Sequence, residues 1–365
     1  MKPLNEIKAL DLSDSYAGAF CALQLSDFGA QVIKVNAKGR EAGIKDSMPL
    51  KNGRSLMHAY LNRGNKCIEI SPDDKADIDA LLKLIGESDV MIVGDRNLFA
   101  GIDLHYEAIR DINSRIVYAS ITGFGESGEY AGRPCAEIVA QAASGVLGFT
   151  GFPGDVPVRI GVEFGDTLAG MKLNLGILMA LLDRSRTGTG DRVEVSIVDS
   201  LIDTNELPVL YRTGLGEVIE RAGNGDPTIT PYGIYQTKDG FVSIGVASDS
   251  MWQPFCEALG LGELEHDPKY TNNESRLGNR EALETAISKA VVNATADDIV
   301  RRMRSHRVPA AKVYSMEDVM HSEQLEYRNM YASIYVPDLG AFTVPNNPMN
   351  VEGFNLSGIY GAPEK

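Results

Sequence analysis

A chain of 365 residues exceeds what most single hydrophobic cores organise, so two domains, or one large α/β domain with an insertion, is the expectation. Its 44% hydrophobic residues, 23% charged residues and 37 glycines are those of a globular enzyme rather than a disordered or fibrous chain. A formal charge of −15 argues against a nucleic-acid or anionic-membrane surface, which needs clustered Lys and Arg, while leaving room for a locally basic pocket.

Taken in chain order, short apolar runs alternate with helical periods. "IKALDLS" is followed by "AGAFCALQLSDFG", "AQVIKVN", an irregular stretch and "NKCIEIS"; then come "DDKADIDALLKLIGES", "DVMIVGD", "HYEAIRDINS" and "RIVYASITGF". That rhythm predicts a mostly parallel sheet covered by helices. A long apolar helix ends at "DRSRTGTG", where glycine past the C-terminus and Arg184 and Arg186 in the last turn suit a helix stop. After "DRVEVSIVDSLIDTN" the composition shifts to Gly, Pro and Thr in "RTGLGEVIERAGNGDPTITPYG", which marks a linker. Beyond it "GIYQTKDGFVSIGVAS" reads as a hairpin about Asp239-Gly240, followed by helices. We therefore expect a large α/β domain over residues 1–200 with 330–365 packing back on it, a linker over 201–225, and a small α+β domain over 226–329.

Four cysteines (Cys21, Cys67, Cys135, Cys256) stand far apart without a CxxC pair, as expected for free thiols in a reducing compartment. "MKPLNEIKALDLS" has no apolar signal core, and no uninterrupted apolar run approaches the roughly 18 residues of a membrane span, so a cytoplasmic location is expected. Five histidines show no HxxxH or HxH spacing, and no metal site is expected.

The triplet Gly123, Gly125, Gly128 spells a G-x-G-x-x-G after a predicted strand. A dinucleotide site also needs a helix directly behind the glycines, and "EYAGRP", with Gly132 and Pro134, forbids one. Asp166 stands alone at the head of the apolar helix. It reads either as an N-cap accepting first-turn N–H groups or as a nucleophile whose pKa the helix end lowers. Gly161, Gly165 and Gly170 around it leave space for a ligand, and position alone leaves both readings open.

Five blocks carry a resemblance: "ALDLSDSYAGAFCALQLSDFGAQVIKVN", "LNRGNKCIEIS", "IVYASITGFGESGEYAGRP", "GDTLAGMKLNLGILMALLDRSRTGTGDRVEVSIVDS" and "RAGNGDPTITPYGIYQTKDGFVSIGV". In this order they resemble the class III CoA-transferase family, which includes formyl-CoA transferase, carnitine CoA-transferase and the α-methylacyl-CoA racemases. The likeness runs from Leu4 to about Gly361. It implies a Rossmann-like large domain, a smaller α+β domain and an interlocked homodimer, with acyl-CoA and a carboxylic acid as substrates and no tightly bound cofactor.

By the same resemblance Asp166, the Asp of a "GD" opening the helix, is the nucleophile, and Glu137 matches a transferase Glu. The backbone near Tyr16, Ala17 and Gly18 and the loop Arg221 to Gly225 would steady oxyanions. CoA contacts fall on Lys38, next to Ala37 where relatives often have Arg, on Ile70 near the adenine, on Gly94, Asp95 and Arg96, and on Arg133. A second Arg usual before "LGL" is missing from "NLFAGIDL". Racemases carry a "GHD" triplet where this chain has Cys135, Ala136 and Glu137, and Ala136 cannot move a proton. Racemisation and a non-catalytic CoA-binding role are the alternatives. The second draws on the changed arginines and on a chain ending at "GAPEK" where relatives continue into a long helix.

Overall fold

The computed structural model describes residues 2–39, 43–44, 47–99 and 101–352. They form two compact units, one made of Met1–Val146, Ile160–Glu206 and the segment from Glu323 onward, the other of Leu147–Arg159 and Leu207–Ser322.

The first unit is built on six parallel strands: β1 (Lys8–Asp11), β2 (Gln31–Ala37), β3 (Lys66–Ile70), β4 (Val90–Val93), β5 (Val117–Thr122) and β6 (Arg192–Ser196). Their order is β3-β2-β1-β4-β5-β6. β4 reads "VMIV" with every residue buried, the pattern of a central parallel strand covered on both faces. Helices α1 (Tyr16–Asp27), α2 (Leu56–Leu61), α3 (Lys75–Gly86), α4 (Tyr106–Ile112), α5 (Glu137–Ala143), α6 (Phe164–Thr187) and α7 (Ile197–Ile202) follow in chain order. Local chemistry starts several of them: the Ser15 hydroxyl accepts the Gly18 N–H, and the Asp74 carboxylate accepts those of Ala76 and Asp77.

Because the chain runs outward from β1 through β2 to β3 and then returns to β4 on the other side, the order reverses between β1 and β4. Loops leaving the carboxyl ends of those two strands diverge and open a crevice, where doubly wound folds bind their ligands. Here the loops are "LSDS" after β1 and "GDR" after β4.

Helix α6 buries Ala169, Gly170, Leu173 and Ile177 and packs on α1 and on β5 and β6. A Cβ on Gly170 would stand 2.5 Å from the Ala17 carbonyl oxygen, so the two helices meet backbone to backbone there. By length and composition α6 is long and apolar enough to cross a membrane, which the reading by uninterrupted runs overlooks; its buried face makes it a core helix of this unit. Gly188 ends it at φ 79°. The buried Arg184 donates to the carbonyls of Asp89 and Arg115 and to the Asp89 carboxylate.

Two buried ion pairs brace this unit. Arg63 donates to both oxygens of Asp27, at 3.1 and 2.8 Å, and Asn347 reaches the same carboxylate at 3.2 Å. Lys34 on β2 donates to Asp11 at 3.1 Å and to the Ser13 carbonyl. The hairpin Tyr331–Val336/Gly340–Pro345 packs Ile334, Val336 and Val344 against Ala59 of α2. The tail from 353, part of the segment expected to pack back on the large domain, lies outside the described residues.

The second unit holds an antiparallel sheet of β7 (Tyr232–Thr237), β8 (Gly240–Gly245) and β9 (Ala310–Lys312), in the order β9-β8-β7. The β7–β8 hairpin turns through Lys238 and Asp239. Helices α8 (Trp252–Leu259), α9 (Arg280–Val291) and α10 (Ala296–Ser305) cover one face, with Val242, Ile244, Phe255, Leu283, Ile287 and Met303 in the core. Within this unit Arg280 donates to the Asp226 and Ile229 carbonyls, and Arg276 to that of Thr230, fixing the chain just beyond the 221–225 loop.

Candidate active site

The amino ends of α1 and α6 meet. Asp166, in the first turn of α6 and 9% exposed, faces α1, whose Ala17 amide lies near enough to its carboxyl to favour the ionised form. Asp166 is not the cap of its helix. Glu163 occupies the N-cap position without making a side-chain cap bond, and the capping is done from α5: Glu137 Oε1 accepts the Gly165 N–H and Oε2 the Asp166 N–H, each at 2.9 Å. A Cβ on Gly165 would lie 3.0 Å from Glu137 Oε2 and 2.9 Å from Leu201, so glycine lets the two helices close.

The electrostatics run opposite to the sequence expectation. Burial, then the neighbouring Glu137 and Glu163 carboxylates, raise the Asp166 carboxyl to about 7, against a lowering by the Ala17 amide. Helix dipole and free N–H groups would depress it, but Glu137 has taken those N–H groups and placed its own charge there instead. Glu137, Glu163 and Asp166 present oxygens within 4.8 Å of one another. Burial also pushes up the Tyr16 phenol, against a lowering by nearby Thr167, and the Cys135 thiol, with Asp166 and Glu137 adding to the latter. Both groups stay protonated at neutral pH.

Gln141, fully buried one turn after Glu137, donates from Nε2 to Glu137 Oε1 at 2.7 Å and accepts the Ile160 N–H at 2.9 Å. Neither Gln141 nor Glu163 was singled out from sequence; the signal available was the i, i+4 Glu-Gln spacing and the carboxylate three residues ahead of Asp166.

Of the other expected residues, Gly94, Asp95 and Arg96 lie in the loop that leaves β4. Gly94 packs against Ser13 and Asp14, and Asp95 caps Asn97 at 2.9 Å. Lys38 is exposed just past β2, its N–H on the Ile70 carbonyl at 2.7 Å. Ile70 itself is 5% exposed, in the core with Leu81 and Phe99. Arg96 is already paired, donating to Glu126 at 2.9 Å and to the Tyr118 hydroxyl at 3.3 Å. Arg133 stands apart on the 123–135 loop, stacked 3.7 Å over the Tyr130 ring and paired with Glu129. Burial pushes the Asp14 carboxyl up at the crevice floor, where Asn36, Ala37, Leu98 and Phe99 line a small cavity. No helix follows the glycines of the 123–128 loop until α5. The Gly18 N–H is held by Ser15 at 3.2 Å, leaving Ala17 as the source of the α1 amide near Asp166.

The six-stranded parallel fold agrees with what known proteins show. The model of CoA-transferase family III matches residues 4–365. The chain belongs to CoA-transferase family III. Among relatives of this family III chain, the acetyl-CoA:oxalate CoA-transferase of Acetobacter aceti is 28% identical over 97% of this chain and 90% of its own length. The succinyl-CoA:mesaconate CoA-transferase of Haloarcula marismortui is 31% identical over 96% and 90%, and the succinyl-CoA:glutarate CoA-transferase of Mus musculus 30% over 98% and 82%. A CAIB/BAIF family protein from Brucella suis superposes with a TM-score of 0.86 at 27% identity, covering 100% of this chain and 96% of that one. This family III chain is an enzyme of the CoA-transferase class.

Proposed function

We propose that the enzyme moves CoA from an acyl-CoA to a free carboxylic acid through covalent intermediates on Asp166. The observation that carries this reading is the Asp166 carboxyl itself, buried where α1 and α6 meet, with the Ala17 amide near it. The Asp166 carboxylate attacks the donor thioester carbonyl; the C–S bond breaks, CoA thiolate leaves with the electron pair, and a mixed anhydride forms. Thiolate then attacks the Asp166 carbonyl, expelling the donor carboxylate and leaving an aspartyl-CoA thioester. The acceptor carboxylate reverses both steps and departs as its CoA ester. Each step exchanges one acyl substituent, which divides a hard transfer into easier ones. The Ala17 amide stays near the Asp166 carbonyl oxygen as negative charge develops there.

The named relatives act on oxalate, mesaconate and glutarate, so short dicarboxylic acids are the proposed acceptor class. Lys38 and the 94–96 loop hold the nucleotide end of CoA, with Ile70 behind them and Arg133, on the 123–135 loop, as a further contact. The working form is a homodimer in the cytoplasm. Supporting the dimer, Met171, Leu175, Leu178, Met179 and Leu182 form an exposed apolar stripe along α6, at the spacing of one helix face.

Incubating the enzyme with succinyl-CoA and digesting it should leave CoA, removable by hydroxylamine, on the peptide containing Asp166. An unmodified peptide from an active preparation would sink the covalent route.

A further inference from the structure

The amide of Gln141 bridges Glu137, one turn earlier on α5, and the backbone of Ile160, close to Asp166. Its Nε2 donates to Glu137 Oε1 at 2.7 Å, and its Oε1 accepts the Ile160 N–H at 2.9 Å. Glu137 in turn accepts the Gly165 and Asp166 N–H groups, each at 2.9 Å. Gln141 is 0% exposed and Glu137 6%, so no water competes for these bonds. Among the described residues three donors converge on Glu137: the Gln141 amide and the Gly165 and Asp166 N–H groups. A side chain between Glu137 and a backbone N–H must donate on one side and accept on the other. Only an amide of this length does both: Glu would face a carboxylate with no donor, and Lys or Arg could not take the Ile160 N–H.

We infer that Gln141 is a positioning residue for CoA transfer: it locks Glu137 across the amino end of α6 and ties down Ile160, so that Asp166 is presented in one place beside a fixed negative charge. Gln141 does not reach the reacting atoms. It acts on Asp166 through Glu137 and the α6 backbone, and this role rests on Asp166 being the nucleophile. The other groups facing Asp166 are Glu163 ahead of its own helix, Tyr16 and the Ala17 amide from α1, and Cys135 from the loop before α5. Among the described residues facing Asp166, Glu137 is the one held by Gln141.

The test is a double-mutant cycle on single-turnover formation of the Asp166–CoA adduct from succinyl-CoA, followed between pH 5 and 9. Gln141→Met, nearly isosteric and without polar atoms, should slow the adduct about tenfold or more, because small misplacements of a nucleophile are costly. Glu137→Gln should move the acidic limb of the rate down by about one pH unit, since a like charge leaves the site. The double variant should be no slower than the slower single, the signature of two residues acting as one unit. A wild-type rate in Gln141→Met, or losses that multiply in the double variant, would overturn the inference. Should Gln141→Met not fold, Gln141→Glu keeps the shape and the acceptor for Ile160 while removing the donor, and the same outcomes apply. If the wild type forms no adduct, the Asp166 reading is what fails; the same cycle on steady-state CoA exchange then decides the role of Gln141.

Discussion

Glu137 takes the backbone N–H of Asp166 into its own carboxylate at 2.9 Å, so two acidic side chains share one helix end. The cost of that arrangement falls on the folded state. Burial and the neighbouring carboxylates push the Asp166 carboxyl from the ordinary 3.8 up to about 7 in the folded state, so between these values the native protein is expected to bind more protons than the unfolded one. The associated stability is fully present below pH 4 and is lost as pH rises through 7. The shift corresponds to about 4 kcal/mol, as an order of magnitude. Asp166→Asn is therefore expected to be inactive yet more stable than the wild type at pH 8, with the difference vanishing near pH 4. Urea unfolding at the two pH values measures this, and equal midpoints at pH 8 would refute it.

The same titration sets the pH dependence of turnover. Attack requires the carboxylate, so kcat/KM for succinyl-CoA should climb with pH, about tenfold per unit below 7, and level off above. A flat profile between pH 5 and 7 would mean that the free enzyme already holds Asp166 ionised there.

Close approach of α1 and α6 predicts a packing penalty. In Gly170→Ala the new methyl meets the Ala17 carbonyl oxygen at 2.5 Å, and backbone cannot swing aside as a side chain does. A loss of about 1–3 kcal/mol is expected, with a further fall in activity because the Ala17 amide also lies near Asp166. Chemical denaturation alongside the exchange assay reads both effects.

Ala136 separates transfer from racemisation. Racemisation breaks and remakes the α-C–H bond, whereas transfer touches only the carboxyl carbon. Lacking a proton-transfer group at Ala136, the enzyme should exchange CoA between two acids in deuterated water and put no label at the α-carbon of a 2-methylacyl-CoA. Rapid α-deuteration without CoA exchange would transfer the base role to Glu137 or Cys135.

The exposed stripe on α6 gives an assembly test. If two copies interlock over it, the dimer persists at nanomolar concentration in sedimentation, since separation requires partial unfolding. Leu175→Glu with Met179→Glu should abolish the dimer. A wild-type monomer at micromolar concentration would remove the case for a second copy.

Much of this architecture is legible in the chain because parallel strands announce themselves as buried apolar runs: "DVMIVGD" and "RIVYASITGF" become β4 and β5. Asp166 is legible as a lone charge on an apolar helix, but its pKa is not. That depends on Glu137, 29 residues earlier, arriving at the same helix end and taking the N–H groups that a local reading assigns to Asp166. Arg96 shows the same limit, being bound to Glu126 across a strand and a loop rather than standing free. Local sequence carries propensity and caps; it does not carry which partner reaches a charge first.

The chain passes between its two compact units after Val146, Arg159, Glu206 and Ser322. Moving residues 207–322 alone to another gene would leave behind 147–159, which belong to the same unit. Neither unit can be inherited as a cassette. Its relatives in Acetobacter aceti, Haloarcula marismortui and Mus musculus align with both units together, over 96–98% of this chain.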